Sequence, residues 1–269
     1  MIAGLNSLFS YKELLLNFTR KELKVKYKNS ALGFFWSLLN PILMMLVFTV
    51  IFTVVLPIKN IGGIENFPLF FLAGFLPWNF FSATVTGSTI SIVGNGPLIK
   101  KVFFPRELLP VSIGLANLVN FVLELSVFSL FVFVTGLVSN PTYLGFYKYF
   151  PYLLLLIPIL FVFTIGVSLL VAALNVYMRD IQHLIGILLM VTFYATPIIY
   201  PITLVPAGYV KAYKANPVTA IIESFHQVLH ELSHPSFNLL LYSAVVAVAV
   251  FLVGYAVFLR LEPAFAEEV

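Results

Sequence analysis

The stretch that decides the fold runs from Phe150 to Val176 and reads FPYLLLLIPILFVFTIGVSLLVAALNV. It contains no charged side chain, and it exceeds the ~20 apolar residues that an α-helix needs to cross the hydrocarbon core of a bilayer. The run from Leu153 to Ile157 shows no alternation of polar and apolar positions, which a strand of a membrane β-barrel would require. The stretch therefore predicts a membrane-spanning helix.

Similar apolar stretches recur along the chain. They run approximately over Phe34–Leu56, Phe67–Val93, Leu108–Val138, Leu184–Tyr200 and Leu239–Leu259. The 269 residues are 61% hydrophobic, 16% aromatic and only 10% charged, with a mean hydropathy of +1.02. An ordinary soluble domain is about 25% charged, so this composition excludes a soluble monomer. Without cysteine the chain also has no disulfide, thiolate metal ligand or thiol nucleophile. We predict an all-α membrane protein with six transmembrane helices.

The lysine and arginine residues predict the orientation. Of the 15 in the chain, all but Lys59, Lys148, Lys211 and Lys214 fall in segments that share one side of a six-span topology. Cytoplasmic loops are enriched in these residues. We therefore expect a multi-pass protein of the bacterial cytoplasmic membrane with both termini in the cytoplasm. The net charge of +4 then reflects topology, and it does not indicate nucleic-acid binding.

The segments outside the predicted spans are short. Residues 1–33 contain a predicted amphipathic helix over Tyr11–Tyr27, which either lies on anionic lipid headgroups or docks a cytoplasmic partner. Its apolar positions are Leu14, Leu15, Phe18, Leu23 and Val25. Residues 34–260 form the predicted six-span domain, and residues 261–269 form a cytoplasmic tail.

Residues 201–238 form the longest segment outside the spans, and prolines interrupt it repeatedly. Its moderately apolar part, Val218 to Leu232, is too short to span a bilayer. We expect short re-entrant or interfacial helices here, on the external face between spans five and six, because broken backbone is tolerated only against protein or a water-filled cavity.

Two motifs allow alternative functions. His230, Glu231 and His234 match H-E-x-x-H, which on a helix would present two zinc ligands and a general base of a membrane protease. Pro235 follows directly and is expected to end the helix at the second histidine, which argues against a zinc site. Glu124 is the acid nearest the middle of a span. It allows a proton-coupled secondary transporter, although a protonated or hydrogen-bonded structural glutamate fits better because no basic side chain lies at its depth.

The sequence contains no G-x-x-x-x-G-K-[ST] loop, so we expect no ATP hydrolysis by the chain alone. Aromatic side chains are the remaining groups in the sequence that could bind a ligand. Most fit an interfacial belt and packing against lipid. A subset at the first and fifth spans instead allows a pore lined with rings, whose flat faces stack on sugars without fixing one position; the candidates are Phe34, Phe35, Trp36, Phe193, Tyr194 and Tyr200.

Several segments together carry a family resemblance. They are Arg20–Pro41, Phe75–Phe81, Phe104–Pro110, Leu174–Ile181 and Thr196–Tyr200. In this order they resemble the ABC-2 type polysaccharide export permeases, which are the membrane subunits for lipid-linked O-antigen, capsular polysaccharide and teichoic acid. The resemblance covers essentially the whole chain.

The resemblance implies a transport subunit without its own catalytic site, cofactor or metal. It implies a homodimer joined to two ATPase subunits, which bind ATP and Mg²⁺, and a lipid-linked glycan substrate that passes an aromatic path between the two copies. It further implies that the amphipathic helix and the cytoplasmic loops dock on the ATPases. The residues expected to couple them are Arg20, Lys24, Lys28, Lys100, Lys101, Arg106, Glu107, Arg179 and Asp180.

Overall fold

The computed structural model describes residues 10–26, 35–55, 64, 66–138 and 140–269, and these ranges contain helices and no strand. In chain order the α-helices are α1 (Lys12–Lys26), α2 (Trp36–Val50), α3 (Phe67–Thr89), α4 (Ser91–Gly94), α5 (Gly96–Ile99), α6 (Leu108–Val138), α7 (Phe150–Tyr177), α8 (Ile181–Tyr194), α9 (Val210–Ala215), α10 (Pro217–Leu229), α11 (Phe237–Leu261) and α12 (Phe265–Glu268). A π-helical turn, Ile51–Val55, extends α2, and 3-10 turns occupy Pro141–Lys148, Ile202–Leu204 and Glu262–Ala264.

Four helical segments are long and apolar enough to cross a membrane. They are α3, α6, α7 and the segment Phe237–Glu268, which begins with α11. The predicted all-helical class is thus confirmed. The first and fifth predicted spans coincide with the shorter helices α2, of 15 residues, and α8, of 14 residues. A total of six membrane crossings stays a prediction.

The predicted fifth span is longer than the helix that forms. We expected it to reach Tyr200, whereas α8 ends at Tyr194. Pro197 disfavours helical backbone at Thr196, and the chain instead turns there, with the amide of Thr196 donating to the carbonyl of Phe193 at 3.3 Å.

Helix α3 lies at the centre of the bundle. Its N-terminus is capped by Asn66, whose side chain accepts a hydrogen bond from the amide of Leu69 at 3.3 Å. Leu69, Leu72 and Leu76 are fully buried, and the core around them draws side chains from α6, α7 and α10. Because apolar residues occur on every side of α3, its burial on all sides follows directly from its sequence.

A second apolar cluster lies at one end of the bundle. It contains Ile92 in α4, Phe104 in the loop before α6, Leu108 at the start of α6, and Phe258 and Phe265 near the C-terminus. Leu14, Leu15 and Phe18 of α1 pack on it. We call this the α1 end, and the end that carries α9 and α10 the α10 end. The amphipathic helix predicted over Tyr11–Tyr27 is therefore present, except that Tyr27 lies outside the described residues and Val25, expected on the apolar face, is 56% exposed.

Candidate functional site

An open cleft between α3 and α8 gathers some of the predicted aromatic residues. Its volume is about 350 Å³, and it is lined by Trp78, Ser82 and Thr86 of α3 and by Gly186, Leu189, Met190, Phe193 and Tyr194 of α8. The rings of Trp78 and Phe193 pack with their centroids 5.6 Å apart, and those of Phe193 and Tyr194 meet edge to face at 5.2 Å. Tyr194 is 60% exposed, so its ring is accessible to a ligand.

Tyr200 has a different environment from the other predicted pathway residues. Its hydroxyl donates to the carbonyl of Tyr194 at 2.6 Å and lies 3.1 Å from the hydroxyl of Tyr213. Burial raises the pKa of Tyr200 well above its ordinary value, and the hydrogen bond to Tyr213 raises it further. Tyr200 therefore stays neutral and satisfies a carbonyl that the end of α8 leaves without a helical partner.

The aromatic residues predicted at the first span lie elsewhere. Phe35 is 54% exposed, Trp36 begins α2 and is half-buried, and Phe34 lies outside the described residues. Within the described part of the chain, no ring contact joins Phe35 or Trp36 to the cleft at Phe193.

The residues predicted to couple the chain to ATPase subunits fall into two groups, one partly or fully buried and one exposed. Arg106 and Glu107 precede α6, and Glu107 is only 3% exposed. The Arg106 guanidinium donates to the main-chain carbonyl of Glu262 at 2.9 Å and lies 3.9 Å from its carboxylate. The amide of Arg106 donates to that carboxylate at 3.3 Å. Arg106 thus joins the loop before α6 to the segment after α11, a link that the sequence did not reveal because 156 positions separate the two residues.

The other predicted coupling residues are exposed. Arg20 and Lys24 lie on the outer face of α1, while Lys100 and Lys101 follow α5. Arg179 and Asp180 precede α8, and Asp180 makes no side-chain capping bond there. Arg179 and Asp180 lie near the α1 end. The nearby Tyr177 donates from its hydroxyl to the carbonyl of Leu261 at 3.0 Å, and Leu261 belongs to the C-terminal segment at that end. Lys28 lies outside the described residues.

The H-E-x-x-H motif does not lie on a helix. Helix α10 ends at Leu229, His230 is its C-cap, and Leu232 has a φ of 51°, a left-handed conformation that L-residues rarely adopt. The expected helix end at the second histidine is therefore wrong by more than a turn. His230 packs edge-on against Phe70 with ring centroids 5.4 Å apart. His234 instead has its Nδ1 3.0 Å from the hydroxyl of Tyr152.

The environments of these histidines also differ from that of a metal site. Burial, with a smaller contribution from the neighbouring His226, lowers the pKa of His230 to about 4. Burial and Glu223 raise the pKa of Glu231. In the described residues no group of three histidine, cysteine or acidic side chains is arranged to hold a metal ion.

Glu124 lies in α6 and pairs with a neighbouring helix. The side-chain amide of Asn79, in α3, donates to its Oε1 at 3.4 Å. This agrees with the interpretation of Glu124 as a hydrogen-bonded structural glutamate.

Comparison with known proteins gives the family. The model of the ABC-2 type transporter family matches residues 13–230. The O-antigen export system permease protein RfbA of Myxococcus xanthus is 34% identical over 271 residues, which cover 100% of both chains. Two proteins of that name from Klebsiella pneumoniae are each 30% identical over 261 residues, or 95% of this chain and 94% of theirs. The chain therefore belongs to the ABC-2 type transporter family and is a multi-pass membrane protein.

Proposed function

We propose that this chain is the membrane-spanning permease of an ATP-driven exporter that moves a lipid-linked polysaccharide of the O-antigen type outward across the cytoplasmic membrane. The observation that carries the proposal is the similarity, over the full length of both chains, to a permease named for O-antigen export. The exposed aromatic cleft beside α8 supports it, because aromatic faces stack on sugar rings and suit a polymer that must slide.

The proposed assembly has two copies of the chain and two ATPase subunits. Six spans place both termini in the cytoplasm, so that the α1 end faces the ATPases and the α10 end faces outward. The exposed Arg179 and Asp180 then contact the ATPases. ATP and Mg²⁺ bind to those subunits, and their closure shifts α1 and the loops at the α1 end, which opens the path between the two copies.

The test combines export with hydrolysis. The chain purified alone should show no ATPase activity, and co-expression with its ATPase partner should restore both hydrolysis and the display of glycan on the cell surface. Replacing Arg179 and Asp180 together by alanine should leave hydrolysis in place and abolish display, because the contact that transmits closure is lost.

The matched control replaces Lys148 and Lys211, which are exposed charges outside the α1 end, by alanine. This variant should export normally. Unaltered export by the Arg179/Asp180 variant would refute the coupling contact. Normal glycan display in a strain that lacks the chain would refute the proposed function itself.

A further inference from the structure

A cavity at the α10 end, largely apolar but with several polar side chains in its walls, lies apart from the aromatic cleft. Its volume is about 370 Å³, within the lower range of ligand-binding pockets. One wall is α10, on which Thr219, Glu223 and Gln227 recur every four residues and so share one face. The opposite wall is the start of α11, with Asn238 and Tyr242, and Lys214 also lines the cavity.

The buried side chains of α10 fix the helix in the bundle. Ile222 and Phe225 are buried in the core, and so is His226, whose ring stacks on Phe70 with centroids 4.1 Å apart. His226 also lies against Gly74 of α3, where an added Cβ would come within 2.5 Å of its Nε2. The wall that carries the cavity residues is therefore held rigidly, as a binding site requires.

The polar groups of this cavity are not all used by the fold. The Oγ1 of Thr219 is buried and has no hydrogen-bond partner among the described residues. The carbonyl that normally accepts from a threonine at this position of a helix belongs to Ala215, and that carbonyl accepts from the hydroxyl of Tyr242 at 2.6 Å. The side-chain oxygen of Gln227 accepts from the amide of Ser236 at 3.0 Å, which leaves its amide nitrogen available as a donor.

The charges of the cavity indicate the class of ligand. Glu223 supplies an anionic acceptor and Lys214 a cationic donor, so the net charge of the site is near zero. The Nδ1 of the buried His226 lies 3.8 Å from the Glu223 carboxylate. Interspersed donors and acceptors beside an aromatic ring suit a neutral ligand with several hydroxyl groups better than they suit an ion.

We propose that the cavity between α10 and α11 binds a sugar residue of a glycan, with Glu223 and Thr219 as its principal hydrogen-bonding groups. The proposal rests on the proposed export function, and it adds a saccharide-binding site at the outward end, separate from the aromatic cleft. In such a site, one residue of the emerging polymer is held while the next segment moves.

The test measures the binding of simple sugars to the full chain in detergent by saturation-transfer-difference NMR. The probes are the methyl glycosides of mannose, galactose, rhamnose and N-acetylglucosamine, with glycerol as an acyclic control. At least one glycoside should give a saturable signal that glycerol does not. Thr219→Val should weaken that binding about threefold to tenfold, as expected for one lost hydrogen bond.

Thr219→Val also separates a binding role from a folding role. Valine has nearly the shape of threonine, and the hydroxyl it removes has no partner in the described structure. The variant should therefore unfold at the wild-type temperature or above it. Glu223→Gln should weaken binding more than tenfold, whereas Glu231→Gln, which removes a charge outside the cavity, should not change it.

The outcomes distinguish this site from the exporter itself. If no glycoside binds the wild-type chain, or if binding is unchanged in both Thr219→Val and Glu223→Gln, the site is refuted, whatever the chain exports. If sugars bind in a Glu223-dependent way but a strain without the chain displays normal surface glycan, the site stands and the export function fails.

Discussion

At the residue scale, two glycines determine how closely α7 and α11 approach each other. A Cβ added to Gly166 would lie 2.6 Å from the Cα of Phe251, and one added to Gly254 would overlap the carbonyl oxygen of Gly166. Small residues permit such contact between helix backbones in membranes. Gly254→Ala should therefore destabilise the fold by about 1–3 kcal/mol through overpacking, measured as a lower apparent Tm in detergent.

The matched control for this prediction is Gly94→Ala. An added Cβ there meets no atom within 4 Å, so this variant should unfold at the wild-type temperature. Equal unfolding temperatures for the Gly94 and Gly254 variants would contradict a close backbone contact at the helix crossing.

His230 makes the stability of the chain dependent on pH. Its pKa is lowered to about 4 in the folded chain by burial and by His226, against an ordinary value of 6.5. Between these two values the unfolded chain binds more protons, so stability should fall as the pH drops from about 6.5 towards 4, by at most about 3 kcal/mol. The raised pKa of Glu231 has the opposite sign and offsets part of this fall.

The measurement is the apparent Tm at pH 7 and pH 5 in one detergent. His230→Asn should show a smaller difference between the two pH values than the wild type, because asparagine does not titrate. Identical pH dependence in the two proteins would contradict the assignment to His230.

The sequence predicts some of these residue-scale features and not others. Phe193 and Tyr194 could be chosen because they are aromatic residues in a predicted span, and both line the cleft. The partner of Arg106 could not be predicted from the sequence, since only the tertiary fold brings Glu262 close to Arg106. H-E-x-x-H misleads because the motif specifies spacing, whereas its chemistry needs helical backbone, which here ends before the motif begins.

At the element scale, the loop before α6 is attached to the segment that follows α11. Arg106 makes this connection with two hydrogen bonds and an ion pair, at side chains about one-fifth exposed. Arg106→Ala should therefore lower the free energy of unfolding by roughly 1–2 kcal/mol, because the guanidinium hydrogen bond and the ion pair to Glu262 are lost while the backbone amide bond remains. The check is the apparent Tm of the purified chain.

Arg179→Ala is the control, since Arg179 is exposed and makes no hydrogen bond or ion pair with other described residues. It should leave the Tm unchanged but reduce export if it contacts the ATPase. A Tm loss of equal size in both variants would contradict a specific bond between Arg106 and Glu262.

The elements themselves could largely be predicted from apolar length. Helices α3, α6, α7 and α11 form where long apolar runs with at most one charged residue predict them, because a run of that length has few other ways to satisfy its backbone in a membrane. Their ends are predicted less well. The break after Tyr194 depends on local proline and turn geometry, and the 3-10 and π-helical turns leave no periodic signal in the sequence.

At the scale of the whole molecule, α8 lies on one side of the bundle and none of its residues is buried. The adjoining cleft exposes the polar Ser82 and Thr86 of α3. Polar groups facing lipid are disfavoured, so this side of the molecule should face protein or water. By contrast, the outer face of α6 exposes the apolar side chains of Leu130, Val134 and Leu137, and the exposed hydroxyl of Ser126 on this face donates to the carbonyl of Val122, which suits lipid contact.

This contrast predicts the interface of the proposed homodimer. Because the natural sequence contains no cysteine, single-cysteine variants report on contacts without background. Leu188→Cys, 56% exposed on α8, should crosslink to a dimer in native membranes when treated with a bifunctional maleimide. Leu130→Cys, 62% exposed on α6, should stay monomeric under the same treatment because lipid surrounds it. Dimers from the α6 variant alone would show that the copies meet through α6 and not through α8. A lack of dimers from both variants would also contradict pairing through α8.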